Sequence, residues 1–549
     1  MTTPTIPVLF GTETGNAEYC ADLLVEALEE EGFSASLIDM ADFNPDETAS
    51  HPVLFIVTST YGNGDPPANA ERMLDYLQKD SPKLSGLNFA VCGLGDTSFH
   101  HFAQCGKDFE KALLACSAKA MFDRVDCDED YEVSFDAFKE SAVSYLRENK
   151  DSLFNPETAS SNETDPAAAA VTTDFTEAKV GGAERVYQAK LLEKVLLSKP
   201  GSAKETMHYE LELPDSETGY RVGDCFAVDP ENSARAIASV LTAAQMTGDE
   251  MVSWRGETIP LREALQSACL QQVTLELVRL VAKQPGAEES PAARVLNQEN
   301  AQITAFLKEH YVVDLLEEHD TSQIEANTLM GALRKLQPRL FSVASSPTKD
   351  AQRVGFTIET VRYERKGKAL EGVATCWLAD RVHVGDSFPL RLVKNDDFQF
   401  PQDGTPVIMV GPGTGIAPFR AFLEEVEACQ APNDTWLFFG HQHEAYDFLY
   451  ETEIKRWLEN GTLDRADFAW SRDQEQKVYV QNKIEQSAEK LWAWLERGAR
   501  IYVCGDAEGM APGVASAFKA VATKQGGIHD ADAWLQQLVD SGRYKTDVY

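Results

Sequence analysis

Along the first 150 residues, short continuous apolar runs alternate with stretches of helical period. Residues 7–10, 53–57 and 89–92 read as buried strands, and residues 17–30 as a helix whose apolar stripe is Leu23, Leu24, Ala27 and Leu28. Strands that are apolar on both faces, separated by amphipathic helices, predict a parallel sheet covered on both sides. Residues 151–183 break the pattern, with a polar stretch at 157–165 followed by Pro166 and four alanines. A segment with so little to bury reads as a linker, with a reach of roughly 30 Å as a flexible coil. From Arg185 the period shortens to two, as in residues 187–191 and 208–213, and then turns helical from about Ser233 to Leu336. Strand patterns return at 339–344, 355–363 and 387–393, so the helical stretch reads as an insert within a β-barrel. Residues 407–410 open a second alternation of strands and helices.

A chain of 549 residues is too long for one core, so two to four domains are expected. No apolar run approaches the length of a bilayer span, and residues 1–5 lack a signal-peptide pattern, so a cytoplasmic location is expected. Ten cysteines without a Cys-x-x-Cys pair suit reduced thiols better than a disulfide framework or a zinc site. His441, His443, His100 and His101 lack matching ligands, and no metal is expected. The net charge of −38 sets most of the surface against nucleic acid and anionic lipid, so neither is expected as a partner. Solubility in a salty cytoplasm and docking to a basic protein face both remain open as reasons for that charge.

Candidate chemistry lies at strand ends. Thr12-Glu13-Thr14-Gly15-Asn16 joins the first strand to the first helix and has no Lys. Its N–H groups and hydroxyls suit a phosphate monoester rather than a nucleoside triphosphate, although the same residue types also serve as ordinary helix caps. Ser59-Thr60-Tyr61-Gly62 and Leu94-Gly95-Asp96, running on to Phe99, follow two further strands, where open α/β sheets bind ligands. Tyr61 and Phe99 could hold a flat ring between them. Farther on, Arg339 has a planar fork suited to a pyrophosphate, with Gly372 and Thr375 at a helix start as further donors. Gly411-Pro412-Gly413-Thr414-Gly415 sits between a buried strand and a helix, as dinucleotide loops do. Ser471, Arg472 and Lys477 can meet the extra phosphate that separates NADPH from NADH.

Residues 12–17, 59–62 and 94–103 resemble the phosphate and ring loops of a flavodoxin-type FMN domain. Arg339-Leu340-Phe341-Ser342 and Gly372-Val373-Ala374-Thr375 are similar to the FAD signatures of ferredoxin-reductase-like domains, and the resemblance extends over nearly the whole chain. The chain therefore resembles the diflavin reductases, and most nearly the sulfite reductase flavoprotein branch, as at 338–346, 395–398, 436–440, 447–450 and the Asp547-Val548-Tyr549 end. The fold this implies is a multidomain α/β protein. Its parts are a flavodoxin-like FMN domain at 1–150, the linker at 151–183, an FAD-binding barrel at 184–402 with a helical insert at about 231–335, and a doubly wound NADPH-binding domain at 403–549.

The resemblance implies FMN contacts from Thr12, Glu13, Thr14, Gly15, Asn16, Ala17, Ser59, Thr60, Tyr61, Gly62, Leu94, Gly95, Asp96, Phe99 and Phe102. It implies FAD contacts from Arg339, Leu340, Phe341, Ser342, Thr357, Tyr363, Gly372, Val373, Ala374, Thr375 and Tyr549. NADPH contacts are implied for Gly411, Gly413, Thr414, Gly415, Ser471, Arg472, Lys477, Tyr479 and Gln481. Ser342, Cys504, Asp547 and Tyr549 would surround the hydride path. The implied activity is electron transfer from NADPH through FAD and FMN to a one-electron acceptor protein, a sirohaem sulfite reductase subunit in the branch it most resembles. A free-standing NADPH–haemoprotein reductase and a flavodoxin-like electron-carrier module are the alternatives.

Three features depart from the family pattern. Phe341 stands where tyrosine is usual, which keeps stacking and loses a hydroxyl contact. Gly513 replaces an acidic residue that assists NADPH binding, leaving more of the discrimination to Arg472 and Lys477. The first loop begins at residue 11, without the N-terminal extension associated with subunit assembly in the family, so the oligomeric state is left open.

Overall fold

A computed structural model describes residues 4–12, 15–60, 64–97, 101–154, 186–214 and 219–549. The chain forms two compact units, Met1–Lys179 with Asn232–Gln337, and Val180–Glu231 with Pro338–Tyr549.

The first unit opens with a parallel sheet. Ile6–Gly11 lies between Ala35–Asp39 and Val53–Ser59, and Asn88–Leu94 adds to the far side of Val53–Ser59. The apolar runs at 7–10, 53–57 and 89–92 are thus its three central strands. They alternate between two cores, Val8 and Phe55 facing one side and Leu9 and Ile56 the other. The helix Asn16–Glu30 covers the first face through Leu24 and Leu28. Residues 151–154, expected to begin the linker, instead finish the helix Tyr131–Phe154. Phe154 stays in the helix because its ring packs 6.4 Å from Phe33. The rest of the expected linker, from 155 to 183, lies outside the described residues.

The insert is mostly helical, with a core of its own built on Leu261, Leu277, Val278 and Leu315. Helical period does not hold throughout. Met251–Trp254 and Glu257–Pro260 form an antiparallel hairpin through the two-residue turn Arg255-Gly256. Both turn residues have positive φ, 52° and 78°, the geometry that matches strand twist. Arginine rarely adopts it, which hides the hairpin from the sequence.

Within this unit the insert meets the parallel sheet's first and last helices, Asn16–Glu30 and Tyr131–Phe154, along an ion-paired seam. Arg334 binds Glu132 at 2.7 Å, Lys139 binds Glu276 at 2.9 Å and Lys335 binds Glu18 at 2.7 Å, while Arg279 pairs with Asp136. Arg334 also lies 4.7 Å over the Tyr131 ring. Burial pushes the Glu132 carboxyl up and Arg334 opposes it.

The second unit holds a six-stranded antiparallel sheet. Arg339–Ser342 lies at one end and Arg353–Glu359 at the other, with Cys225–Val228, Ser387–Val393, Val186–Leu196 and Thr206–Glu212 between them. A bridge from Val343 to Phe356 brings the ends together, so the sheet nearly closes into the expected barrel. The pattern expected over 355–363 is split after Glu359. Arg362–Arg365 pairs instead with Lys368–Glu371 through Lys366 and Gly367, again at positive φ.

The remaining sheet is parallel, in the order Arg465–Trp470, Thr435–His441, Val407–Val410, Arg500–Gly505, Tyr544–Val548. The chain's last residues are thus an edge strand, with Cys504 opposite Asp547. One apolar core runs from the barrel's Phe226 and Phe356 to this sheet's Met409 and Tyr502. A buried polar cluster binds the two parts further. Arg420 pairs with Glu424 at 3.1 Å and Glu453 at 2.8 Å and donates to the Ala344 carbonyl, while Glu424 accepts from the Ser346 N–H at 3.1 Å.

Candidate functional site

In the first unit, the loops expected to bind FMN leave the carboxyl ends of three adjacent parallel strands, Ile6–Gly11, Val53–Ser59 and Asn88–Leu94. The Thr12 hydroxyl accepts from the Gly15 N–H at 2.8 Å, and the Thr12 N–H donates to the Asn69 side chain at 2.9 Å. Gly15 has φ of 91°, which favours glycine, and the helix behind it has no side-chain cap. Its first N–H groups therefore suit an anion, even without a lysine. The loops are tied together: Thr60 N–H donates to Leu94 O at 2.9 Å, and the Thr60 hydroxyl accepts from the Cys105 N–H at 3.2 Å. A Cβ on Gly95 would stand 2.5 Å from Ala103 N, so only glycine permits the turn. Asn16, Ala17, Ser59, Asp96 and Phe102 lie on or next to these loops. Glu13, Thr14, Tyr61, Gly62 and Phe99 lie outside the described residues.

Sequence reasoning missed Asn69 and Asp128. Asn69 links Thr12 to Asp39. Asp128 accepts from the Thr97 N–H at 2.9 Å and from its hydroxyl at 2.6 Å; burial is the largest single influence and raises its carboxyl, but these bonds, the Glu129 N–H and Lys308 together outweigh it and hold the carboxyl below the usual range. Each belongs to a helix start or a strand exit far along the chain, so no local motif marks it.

In the second unit, strand register assembles the residues expected along the hydride path. Antiparallel pairing sets Ser342 opposite Cys225, and parallel pairing sets Cys504 opposite Asp547. The two pairs meet. Ser342 Oγ donates to Asp547 Oδ2 at 2.7 Å, the Cys504 thiol reaches the same oxygen at 3.8 Å, and the Cys225 thiol lies 3.7 Å from Ser342 Oγ. Burial pushes the Asp547 carboxyl up, with the Ser342 and Cys504 bonds opposing. Burial also drives the Cys504 thiol well up, with Asp547 adding to the effect, so it stands as a neutral S–H. Cys225 was not foreseen, because a single cysteine in a strand has no motif.

Tyr549 is fixed beside this cluster. Its N–H donates to Gly505 O at 3.0 Å, its carbonyl accepts from Ala507 N–H at 3.2 Å, and its hydroxyl shares a 2.6 Å hydrogen bond with Thr414. The residue as a whole is 56% exposed, so these three hydrogen bonds, and not burial, fix it.

The glycine loop differs from expectation in detail. A Cβ on Gly411 would meet Gly415 O at 2.3 Å, and one on Gly415 would meet Cys504 O at 2.1 Å. These two glycines bring protein backbone together. Gly413, at φ 58° with open space around it, is the one whose surroundings admit a ligand.

Ser471 and Arg472 follow the strand Arg465–Trp470, their N–H groups donating to His441 O and Gln442 O at 2.9 Å each. Arg472, Lys477 and Arg339 are exposed and form no ion pair among the described residues, although acidic groups far outnumber basic ones. Unpaired cations in so acidic a protein fit phosphate ligands. Tyr479 stands exposed at the start of the helix Val480–Gln486. Gln481 lies against Gly513, where a Cβ would come 3.1 Å from its Nε2.

On the barrel, Leu340 and Tyr363 are exposed and Phe341 packs 6.2 Å from Phe356. Thr375 accepts from the Val361 N–H at 3.1 Å, and Gly372 leaves only 2.8 Å between a Cβ and the Thr375 hydroxyl. Val373 and Ala374 form the short helix that follows. Thr357 is not brought to this face. It is buried, and its hydroxyl bonds to Tyr450 OH at 2.6 Å.

Comparison with known proteins agrees with this layout. Residues 8–140 match the flavodoxin family, residues 182–377 the FAD binding domain family, and residues 409–516 the oxidoreductase NAD-binding domain family. Together they define an NADPH-dependent flavoprotein oxidoreductase of the diflavin class, with FMN, FAD and NADP as cofactors and electrons passing from NADPH through FAD and FMN to a one-electron acceptor. The chain is 36% identical to the sulfite reductase [NADPH] flavoprotein alpha-component of Bacillus subtilis (strain 168), covering 99% of this chain and 89% of that protein. It is 37% identical to the protein of the same name from Cronobacter sakazakii, over 99% and 90% respectively. The chain belongs to the family of sulfite reductase [NADPH] flavoprotein alpha-components. No helix among the described residues is long and apolar enough to cross a membrane.

Proposed function

We propose that this chain supplies electrons from NADPH to a sirohaem sulfite reductase subunit in the cytoplasm, with the binding residues acting as their positions suggest. The observation that carries the reading is the meeting of Ser342 from the barrel with Cys504 and Asp547 from the nucleotide sheet. A hydride path needs such a place, where flavin-side and nicotinamide-side residues share one buried polar cluster. The bound nucleotide and flavins supply the redox chemistry, taking in two electrons together and releasing them singly. The protein holds and orients them. Thr12, Gly15 and Asn16 present donors to the FMN phosphate, Arg339 and Thr375 to the FAD pyrophosphate, and Ser471, Arg472 and Lys477 to the 2′-phosphate. Asp547 orients the Ser342 hydroxyl and places negative charge where positive charge develops.

Released flavin is expected as FMN and FAD in equal amounts. Mixed with a sirohaem sulfite reductase haemoprotein, the holoprotein is expected to make sulfide from sulfite and NADPH. Reduction of artificial acceptors alone, at full flavin content, would refute the sulfite reductase reading and leave a reductase of another haem protein.

Asp547→Asn is expected to separate stability from catalysis. A carboxyl whose folded pKa is raised contributes stability fully below its unfolded value, and that stability is lost as pH rises through the folded value. The neutral amide escapes that loss and still accepts from Ser342. The variant should therefore melt about 2 °C above the parent at pH 8, with the gap closing towards pH 4. FAD reduction by NADPH should slow at least about tenfold and lose its low-pH limb. Stopped-flow and melting curves across pH check both, and a variant that melts lower at pH 8 contradicts the assignment.

A further inference from the structure

The loop after the strand Arg465–Trp470 contains an electrostatic conflict. Arg472, a cation suited to a nucleotide phosphate, is followed directly by Asp473. A free carboxylate there repels a phosphate or pairs with the guanidinium, and either outcome weakens phosphate binding. The fold takes Asp473 out of that competition. Its Oδ1 lies 2.8 Å from His443 Nδ1, and its Oδ2 accepts from the Glu444 N–H at 2.9 Å. Both oxygens are therefore engaged by the turn at 443–444, and Arg472 has no ion pair among the described residues. Backbone fixes the arrangement from both sides. Ser471 and Arg472 donate to His441 O and Gln442 O, and the His443 N–H donates to Asp447 Oδ2 at 2.9 Å.

We propose that His443 sets nucleotide specificity: its ring engages Asp473 and keeps it off Arg472, leaving the guanidinium free for the 2′-phosphate of NADPH. His443 acts through Asp473 and is a positioning residue. The inference rests on the reading that Arg472 meets that phosphate. The groups facing His443 are Asp473 from the loop, Asp447 and Glu444 from the turn, Tyr446 edge-on at 5.7 Å, and His441 from the adjoining strand. Burial lowers the His441 pKa, so that ring stands neutral. The Glu444 N–H, first, and His443 after it hold the Asp473 carboxyl below its usual range, so Asp473 stays charged.

The test uses full-length holoprotein and four chains: parent, His443→Ala, Asp473→Asn and the double variant. NADPH and NADH are each assayed with ferricyanide as acceptor, and 2′,5′-ADP serves as competitor. The pair is about one-third exposed, 30% and 33% for the two side chains, so screening limits the effect. His443→Ala is expected to lower the NADPH-to-NADH ratio of kcat/KM about three- to fivefold and to weaken 2′,5′-ADP by the same factor. Asp473→Asn added to that variant is expected to restore both, because it removes the charge that His443 answers. Equal losses for both nucleotides, or no rescue by Asp473→Asn, would overturn the proposal. Arg472→Ala separates the two possible failures. A lowered ratio there, with a parental ratio in His443→Ala, overturns only the role of His443. A parental ratio in Arg472→Ala overturns the phosphate assignment and this proposal with it.

Discussion

Replacing Tyr549 by alanine is expected to raise kcat/KM for NADH by about tenfold and to narrow the preference for NADPH, at unchanged FAD content. The residue is not a frayed end. Two backbone hydrogen bonds, to Gly505 and from Ala507, hold it, and its hydroxyl is bound to Thr414 in the glycine loop. On the proposed assignment, a nicotinamide that reaches the Ser342–Cys504–Asp547 cluster displaces the ring, and the cost is drawn from nucleotide binding energy. A tenfold change corresponds to about 1.4 kcal/mol, the size of one hydrogen bond with some apolar contact. Without the ring both nicotinamides bind more tightly; the oxidised product of NADPH, already held by its 2′-phosphate, is then released more slowly, so turnover with NADPH gains less than turnover with NADH and the preference narrows. Tyr549→Phe, which keeps the ring and loses the Thr414 bond, is expected to fall between. Steady-state kinetics with both nucleotides, beside flavin content, check this. Parental kinetics with both at full FAD content would mean that the ring does not obstruct the nicotinamide.

The double replacement of Arg472 and Lys477 by alanine is expected to raise KM for NADPH by tenfold or more, with little change in KM for NADH. Neither side chain has an acidic partner among the described residues, so removing them breaks no internal ion pair. Both are exposed, so folding loses little. Each charge-assisted contact to a phosphate contributes about 1.5–3 kcal/mol, and only NADPH carries that phosphate. Steady-state KM for each nucleotide is the measurement. Equal losses for the two would show that the residues serve the loop's shape and not the phosphate.

The sequence by itself determined the layers and their order. Apolar runs at 7–10, 53–57, 89–92 and 407–410 became central strands because a strand buried on both faces has few other places to go. The loops leaving those strands were visible for the same reason, since Gly15 and Gly413 need backbone conformations that glycine adopts at low cost. Period alone failed where a short element took its direction from a turn. The hairpin at Arg255-Gly256 and the break after Glu359 depend on positive φ at residues that do not announce it.

Only the tertiary structure decided which residues meet. Ser342 and Asp547 are far apart in sequence, and strand register in two different sheets, not any motif, brings them to 2.7 Å. Asn69, Asp128, Cys225 and Arg420 were illegible because each acts on segments distant in sequence, and a lone polar residue or cysteine has no pattern to read. The separate duties of Gly411, Gly415 and Gly413 follow from what a Cβ would strike. Asp473 shows the limit most plainly: in the sequence it stands beside Arg472 with the opposite charge, and only the turn carrying His443 and Glu444 engages it. Local pattern fixes where the backbone can go, whereas the side chains that share a site are chosen by register and packing between segments that the sequence keeps apart.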